Sequence, residues 1–143
     1  MNINKDLVAA SATPLILAIL AESDSYGYAI LKRVSDLSSG QLQWTDGMLY
    51  PVLHRLERQG QIEGRWGASE SGRRRKYYRI TRRGQSLLAE QREQWRVVDA
   101  TLQNAWLIEQ PGAVLRGRFS PPSLLRAMAR PWSEASLLLP QRG

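Results

Sequence analysis

The chain has 143 residues, a formal charge of +7, a pI of about 10.4, one histidine and no cysteine. Its length fits one domain with at most an appendage, and the missing cysteines exclude disulfides and cysteine-ligated zinc. The lone His54 argues against a histidine-rich metal site or a Ser-His-Asp triad, and the basic balance calls for a polyanionic partner, nucleic acid rather than a membrane surface.

The longest apolar run, Leu15 to Ala21, falls far short of the ~20 residues that span a bilayer. Lys5 and Asp6 sit close together, and no small-residue cleavage site follows a proper apolar core, so no secretory signal is read. The expectation is a soluble cytoplasmic protein without metal or cofactor.

The first helical segment runs from about Asn4 to Ala21. Thr13-Pro14 has the form of a cap followed by proline at the first helical position. Two arrangements follow: a short arm and then a helix, or one helix kinked at Pro14. Ser23, Asp24 and Ser25 then offer caps for a second helix. Its apolar positions Ile30, Leu31, Val34 and Leu37 recur at helical spacing, and Ser38-Ser39-Gly40 ends it.

A third helix starts at Thr45, a capping residue, with Asp46 suited to the positive helix end. Leu49, Val52, Leu53 and Leu56 form the buried stripe. Gly60 sits where a left-handed C-cap is expected. Pro51 inside this helix removes one hydrogen bond and bends the axis. The opposite face carries Tyr50, His54, Arg55 and Arg58.

Residues 62–84 read IEGRWGASESGRRRKYYRITRRG. Ile62, Gly64 and Trp66 share one face of a first run, and Tyr78 and Ile80 share one face of a second. Such alternation around a glycine-bearing tip predicts a β-hairpin. Between Arg73 and Arg83 stand seven Lys or Arg and no acid. Two close helices followed by a basic hairpin form a helix-turn-helix with a wing, whose cations lie along phosphates.

A last helix spans about Arg82 to Trp106, capped by Thr81. Leu88, Gln91, Trp95, Val98, Leu102 and Ala105 are spaced three and four apart, an a/d seam for packing along another helix. The same seam can also serve a helix that packs on its own domain. From Glu109 onward, Pro111, Pro121, Pro122, Pro131 and Pro140 interrupt the chain. That texture reads as a poorly ordered or loosely docked tail.

The block TDGMLYPVLHRLERQG, then IEGRW, then GRRRKYYRITRRG, resembles the PadR family of bacterial transcriptional regulators. The likeness includes the Leu49-Tyr50-Pro51 step, the Arg55 to Gly60 ending, the Tyr77 to Gly84 run and the Tyr26-Gly27-Tyr28 step upstream. It covers about Leu15 to Trp106. It implies a mainly α fold with a small β-hairpin: a winged helix-turn-helix domain plus a C-terminal dimerisation helix. The boundaries are 1–81 for the winged helix with its N-terminal helical arm, 82–108 for the dimerisation helix and 109–143 for the tail. The family pattern implies a homodimeric repressor on a palindromic operator of double-stranded DNA.

In a helix-turn-helix the N-terminal part of the second helix enters the major groove. Thr45, Asp46, Gly47, Met48, Tyr50 and His54 are therefore expected nearest the DNA, with Arg73, Arg74, Arg75 and Lys76 tracking the backbone. Tyr50 has a second reading, as a rim residue packed against the wing. Lys5, Lys32 and Arg33 are weaker phosphate candidates.

The stretch QREQWRVVDATL further resembles multidrug-responsive members of the family. The likeness implies that Trp95 and its symmetry mate face each other across an apolar slot for a planar aromatic compound. Asp99 would attract a cationic ligand, and Leu7, Ala10, Val98 and Leu102 would complete the walls. The other arrangement is a dry dimer core filled by Trp95. Trp44 and Trp66 are expected in core and wing packing.

A winged helix used only for protein contact predicts a neutral or acidic hairpin, against the cations found here. An enzyme predicts a phosphate-binding or nucleophile motif, and neither is present.

Overall fold

In the computed structural model of the chain, residues 2–108 are described. The proline-interrupted segment 109–143, read above as a tail, lies outside them. The order is α1 (Lys5–Glu22), β1 (Ser25–Tyr26), α2 (Gly27–Leu37), α3 (Asp46–Arg58), β2 (Ile62–Ala68), β3 (Arg74–Ile80) and α4 (Arg82–Ile108).

α1 is one helix with Pro14 in its interior, which resolves the two arrangements left open by the sequence. Its cap is Asn4, whose side chain accepts from the Asp6 N–H. Thr13 is not a cap. It is buried in mid-helix, and its hydroxyl accepts a hydrogen bond from Arg55 Nη2 at 2.8 Å. The apolar run that follows Pro14 explains the continuity. Ile16, Leu17 and Leu20 are almost wholly buried, and their burial outweighs the one hydrogen bond that proline removes.

The caps read for α2 are also corrected. Ser25 and Tyr26 form β1, paired antiparallel with Tyr78 and Tyr77 of β3. Tyr26 is the residue before α2 and makes no side-chain cap bond. Pairing with β3 holds this segment extended, so the helix waits until Gly27. The sheet therefore has three strands in the order β1-β3-β2, one more than the predicted hairpin.

Ile30 and Val34 of α2 meet Leu49, Leu53 and Leu56 of α3 and the apolar half of α1 in a single core. Ile62 and Tyr78 close it from the base of the hairpin. The turn after α2 uses Ser39 and Gly40 at positive φ, with the Gly40 N–H donating to Ser35 O at 2.7 Å. α3 ends as expected from Gly60. That glycine has φ 73°, and the Gln61 N–H reaches back to Leu56 O at 2.9 Å, the six-to-one bond of a Schellman ending.

α4 is capped by Thr81, whose hydroxyl accepts from the Gly84 N–H at 3.1 Å and donates to Gly60 O at 2.6 Å. Gly84 and Leu88 are its buried residues. The first compact unit of the chain ends at Arg92, within this helix.

Candidate nucleic-acid interface

The interface is built on α3. Leu49, Leu53 and Leu56 anchor its inner face, which forces the intervening positions outward. Thr45, Asp46, Gly47, Met48, Tyr50 and His54 are all exposed, as expected of a groove-facing surface. Thr45 stands at the N-cap position, but its side chain makes no cap bond. Pro51 has no N–H to donate to the Gly47 carbonyl, so the first turn lacks that one i→i−4 bond.

Tyr50 and His54 are one turn apart, with ring centroids 6.3 Å apart. The Tyr50 hydroxyl lies against the backbone of Gly27, where an added methyl group would overlap it. Tyr50 thus packs on the start of α2 while remaining 39% exposed.

β2 and β3 form the wing in an unbroken register from Ile62↔Ile80 to Ala68↔Arg74. Its tip is closed by Ser69 N–H to Arg73 O at 2.8 Å and by Gly72, at φ 82°. The cations of β3 do different things. Arg73 is exposed at the tip. Arg74 lies over the Trp66 ring at 5.1 Å, and Arg75 over the Tyr26 ring at 3.8 Å. Tyr26 in turn meets Tyr77 edge-on at 5.6 Å. None of these three arginines forms an ion pair among the described residues.

Lys76 differs from these three in having a carboxylate partner. Its Nζ donates to Glu57 Oε1 at 3.0 Å. That hydrogen bond holds the ammonium above the usual lysine range, ahead of the opposing effect of burial. Arg79 pairs with Glu63 across the strands at 3.0 Å, and Arg33 with Glu22 at 3.2 Å. Lys5 and Lys32 are exposed.

Two features of this surface were missed in the sequence. Trp66 was expected to pack in the wing, yet it is 58% exposed beneath Arg74. Tyr26 was read only as part of a sequence step, yet it supports Arg75 from the added strand. Strand alternation put Trp66 on the face of Ile62, but it does not say where along that face the core stops. Trp44 is buried as expected.

The residues proposed for ligand contact have a different character. Leu7, Trp95, Val98 and Leu102 are 58%, 36%, 48% and 42% exposed, and Ala10 and Asp99 are exposed as well. Of the seam residues, Leu88 is buried, Gln91 is half-buried and Ala105 is exposed. No helix among the described residues is long and apolar enough to cross a membrane.

A helix pair whose second member presents its first turn outward, followed by a basic two-stranded wing, defines a winged-helix DNA-binding protein. Residues 16–90 match the model of the transcriptional regulator PadR-like family. A transcriptional regulator from Clostridium thermocellum has 31% sequence identity and a TM-score of 0.65, over 70% of this chain and 97% of that one. A PadR-like transcriptional regulator from Bacillus cereus has 29% identity and a TM-score of 0.63, over 71% and 97%. Transcriptional regulator YqjI of Escherichia coli is 32% identical over 114 residues, which span 80% of this chain and 50% of that protein.

The chain belongs to the PadR-like family of transcriptional regulators. It is a DNA-binding regulator and not an enzyme.

Proposed function

We propose that the chain acts as a homodimeric repressor on a palindromic operator. The first turn of α3 enters the major groove, and the wing follows the adjacent backbone. The observation that carries this reading is the exposed first turn of α3 together with three wing arginines that no carboxylate neutralises among the described residues. Phosphate contacts then supply most of the affinity, and Tyr50 and His54 meet base edges. We assign residues 1–81 to DNA binding and 82–108 to dimerisation.

A mobility-shift assay on the chain's own promoter region, at low and high salt, tests the reading. Binding should weaken steeply with salt, because each neutralised phosphate releases counterion. Replacing Arg73, Arg74 and Arg75 by Ala should lower affinity for every duplex. It should also flatten the salt slope by up to ~0.9 for each phosphate that is no longer neutralised. Salt-insensitive binding would count against the reading.

The exposed side chains of Trp95, Val98 and Leu102 on α4 favour a second element, release by a planar aromatic ligand. In a two-fold dimer Trp95 and its mate form the slot, with Asp99 nearby for a cation. Release requires the ligand to prefer the relaxed dimer, so operator DNA should weaken dye binding by the factor that dye weakens DNA binding. Dye should quench indole emission in the native chain and largely fail to do so in Trp95→Ala. Equal quenching in both would remove the slot from the proposal and leave the repressor.

A further inference from the structure

Glu57 occupies the last turn of α3, where the negative helix end disfavours an acid. Its carboxylate is engaged on both oxygens by the wing. Oε2 accepts the Gly64 N–H at 3.1 Å, and Oε1 accepts Lys76 Nζ at 3.0 Å. The pair is partly buried, with 31% of the Glu57 side chain and 26% of Lys76 exposed. β2 is an edge strand, so the amide that Glu57 takes up is one that strand pairing leaves open. Gly64 leaves just enough room. A methyl group there would overlap Lys76 Cε and Glu57 Oε2.

The same face of the hairpin continues outward to Trp66 and Arg74, through the pairs Gly64↔Tyr78, Trp66↔Lys76 and Ala68↔Arg74. The clasping bonds therefore grip the wing between its base in the core and the portion that carries its exposed arginine. A two-stranded ribbon twists and bends readily, and a grip at this level fixes how the outer wing leaves the helix.

We propose that Glu57 and Lys76, closed on the Gly64 N–H, form a clasp that sets the wing against α3 so that both engage one duplex. Lys76 is then a positioning residue and not a phosphate ligand. The proposal rests on the reading that α3 and the wing bind DNA together. A clasp of this kind serves sequence discrimination. Wing and helix must be in register on an operator, whereas non-specific binding needs only positive charge near phosphate.

The test compares Lys76→Met, Glu57→Gln, Gly64→Ala and the double variant Glu57→Gln/Lys76→Met with the native chain. The probes are a duplex of its own promoter region and a scrambled duplex of equal length. Lys76→Met should weaken promoter binding about tenfold, the equivalent of ~1.4 kcal/mol. Scrambled-duplex affinity and the salt slope should stay within error. Glu57→Gln should move the same way, and the double variant should lose no more than Lys76→Met alone.

Gly64→Ala reaches the clasp from a third side. The atoms its methyl displaces are the ends of flexible side chains, so it opens the clasp without needing backbone to move. If either charge variant fails to fold, Gly64→Ala supplies the same comparison. In the DNA-free protein, Glu57→Ala should speed hydrogen exchange at the Gly64 amide.

Equal loss on both duplexes with a salt slope lower by ~0.9 would return Lys76 to the phosphate ligands and overturn the proposal. So would native promoter discrimination in all these variants, or an unchanged Gly64 amide. A native chain that binds neither duplex, or an Arg73→Ala/Arg74→Ala variant with an unchanged salt slope, would instead overturn the DNA reading beneath it.

Discussion

The two ends of α4 obey different rules. Near its start, Gly84 and Leu88 are buried, and a methyl group on Gly84 would overlap the backbone oxygen of Gln61. Past Arg92 the apolar row continues at the same spacing, yet Trp95, Val98, Leu102 and Trp106 are 36–50% exposed. One helical pattern thus serves two situations. The first part of the helix is finished by its own domain. The second part presents a row of large apolar side chains that stay exposed among the described residues, the surface on which the dimer proposal rests. A hydrophobic period reports that a face will be covered, and does not report by what.

That contrast is most directly broken at Leu102. Under the dimer proposal, Leu102→Glu buries a charge at the seam and costs several kcal/mol. Sedimentation at micromolar concentration should show a dimer for the native chain and a monomer for the variant. A variant that stays dimeric would mean that the row is not the interface. The winged-helix part should be unharmed, with native affinity of each protomer for a single half-site.

The converse experiment is Leu53→Ala. Leu53 is wholly buried in the core on α3. Its truncation should cost about 2–5 kcal/mol of stability, read as a lower urea midpoint. The loss should be the same at low and high protein concentration, since Leu53 lies in a core completed by one chain. A concentration-dependent loss would blur the distinction between the two regions.

The sequence made the first region legible and the second only half so. The stripes of α2 and α3 were readable because Ile30, Val34, Leu49, Leu53 and Leu56 repeat at helical spacing and end in Gly40 and Gly60, both at positive φ. β1 was not readable. Its two residues form a strand only because Tyr77 and Tyr78, some fifty positions on, stand beside them. Pro14 misled for a related reason. A local start signal was overridden by burial of the helix around it. At the interface, α3 exposes the predicted residues because its inner face is fixed by leucine. The wing cations could not be sorted by sequence. Arg73, Arg74, Arg75 and Lys76 are consecutive and alike in charge, and only geometry assigns one to the tip, two to aromatic rings and one to Glu57.

The smallest predicted effect separates the regions by titration. Lys76 is raised above the usual lysine range by its bond to Glu57, and Tyr78 is raised above the usual tyrosine range by burial. In both cases folding favours the protonated form. Their stabilising contributions are therefore complete below the unfolded values and are lost as pH rises through the folded ones. Stability should hold through neutral pH and decline from about pH 10 upward. Urea midpoints at about pH 8 and about pH 11 measure the decline. Lys76→Met and Tyr78→Phe should each reduce it, because each removes one titrating group while keeping apolar bulk. The charged pair on distal α4, Glu93 with Arg96, is exposed and should add little. The decline should accordingly persist in the Leu102→Glu monomer, because Lys76 and Tyr78 both belong to the winged helix. If it vanished with the dimer, the alkaline sensitivity would lie in the association of two chains, and the winged helix would not be the self-sufficient unit that its buried core indicates.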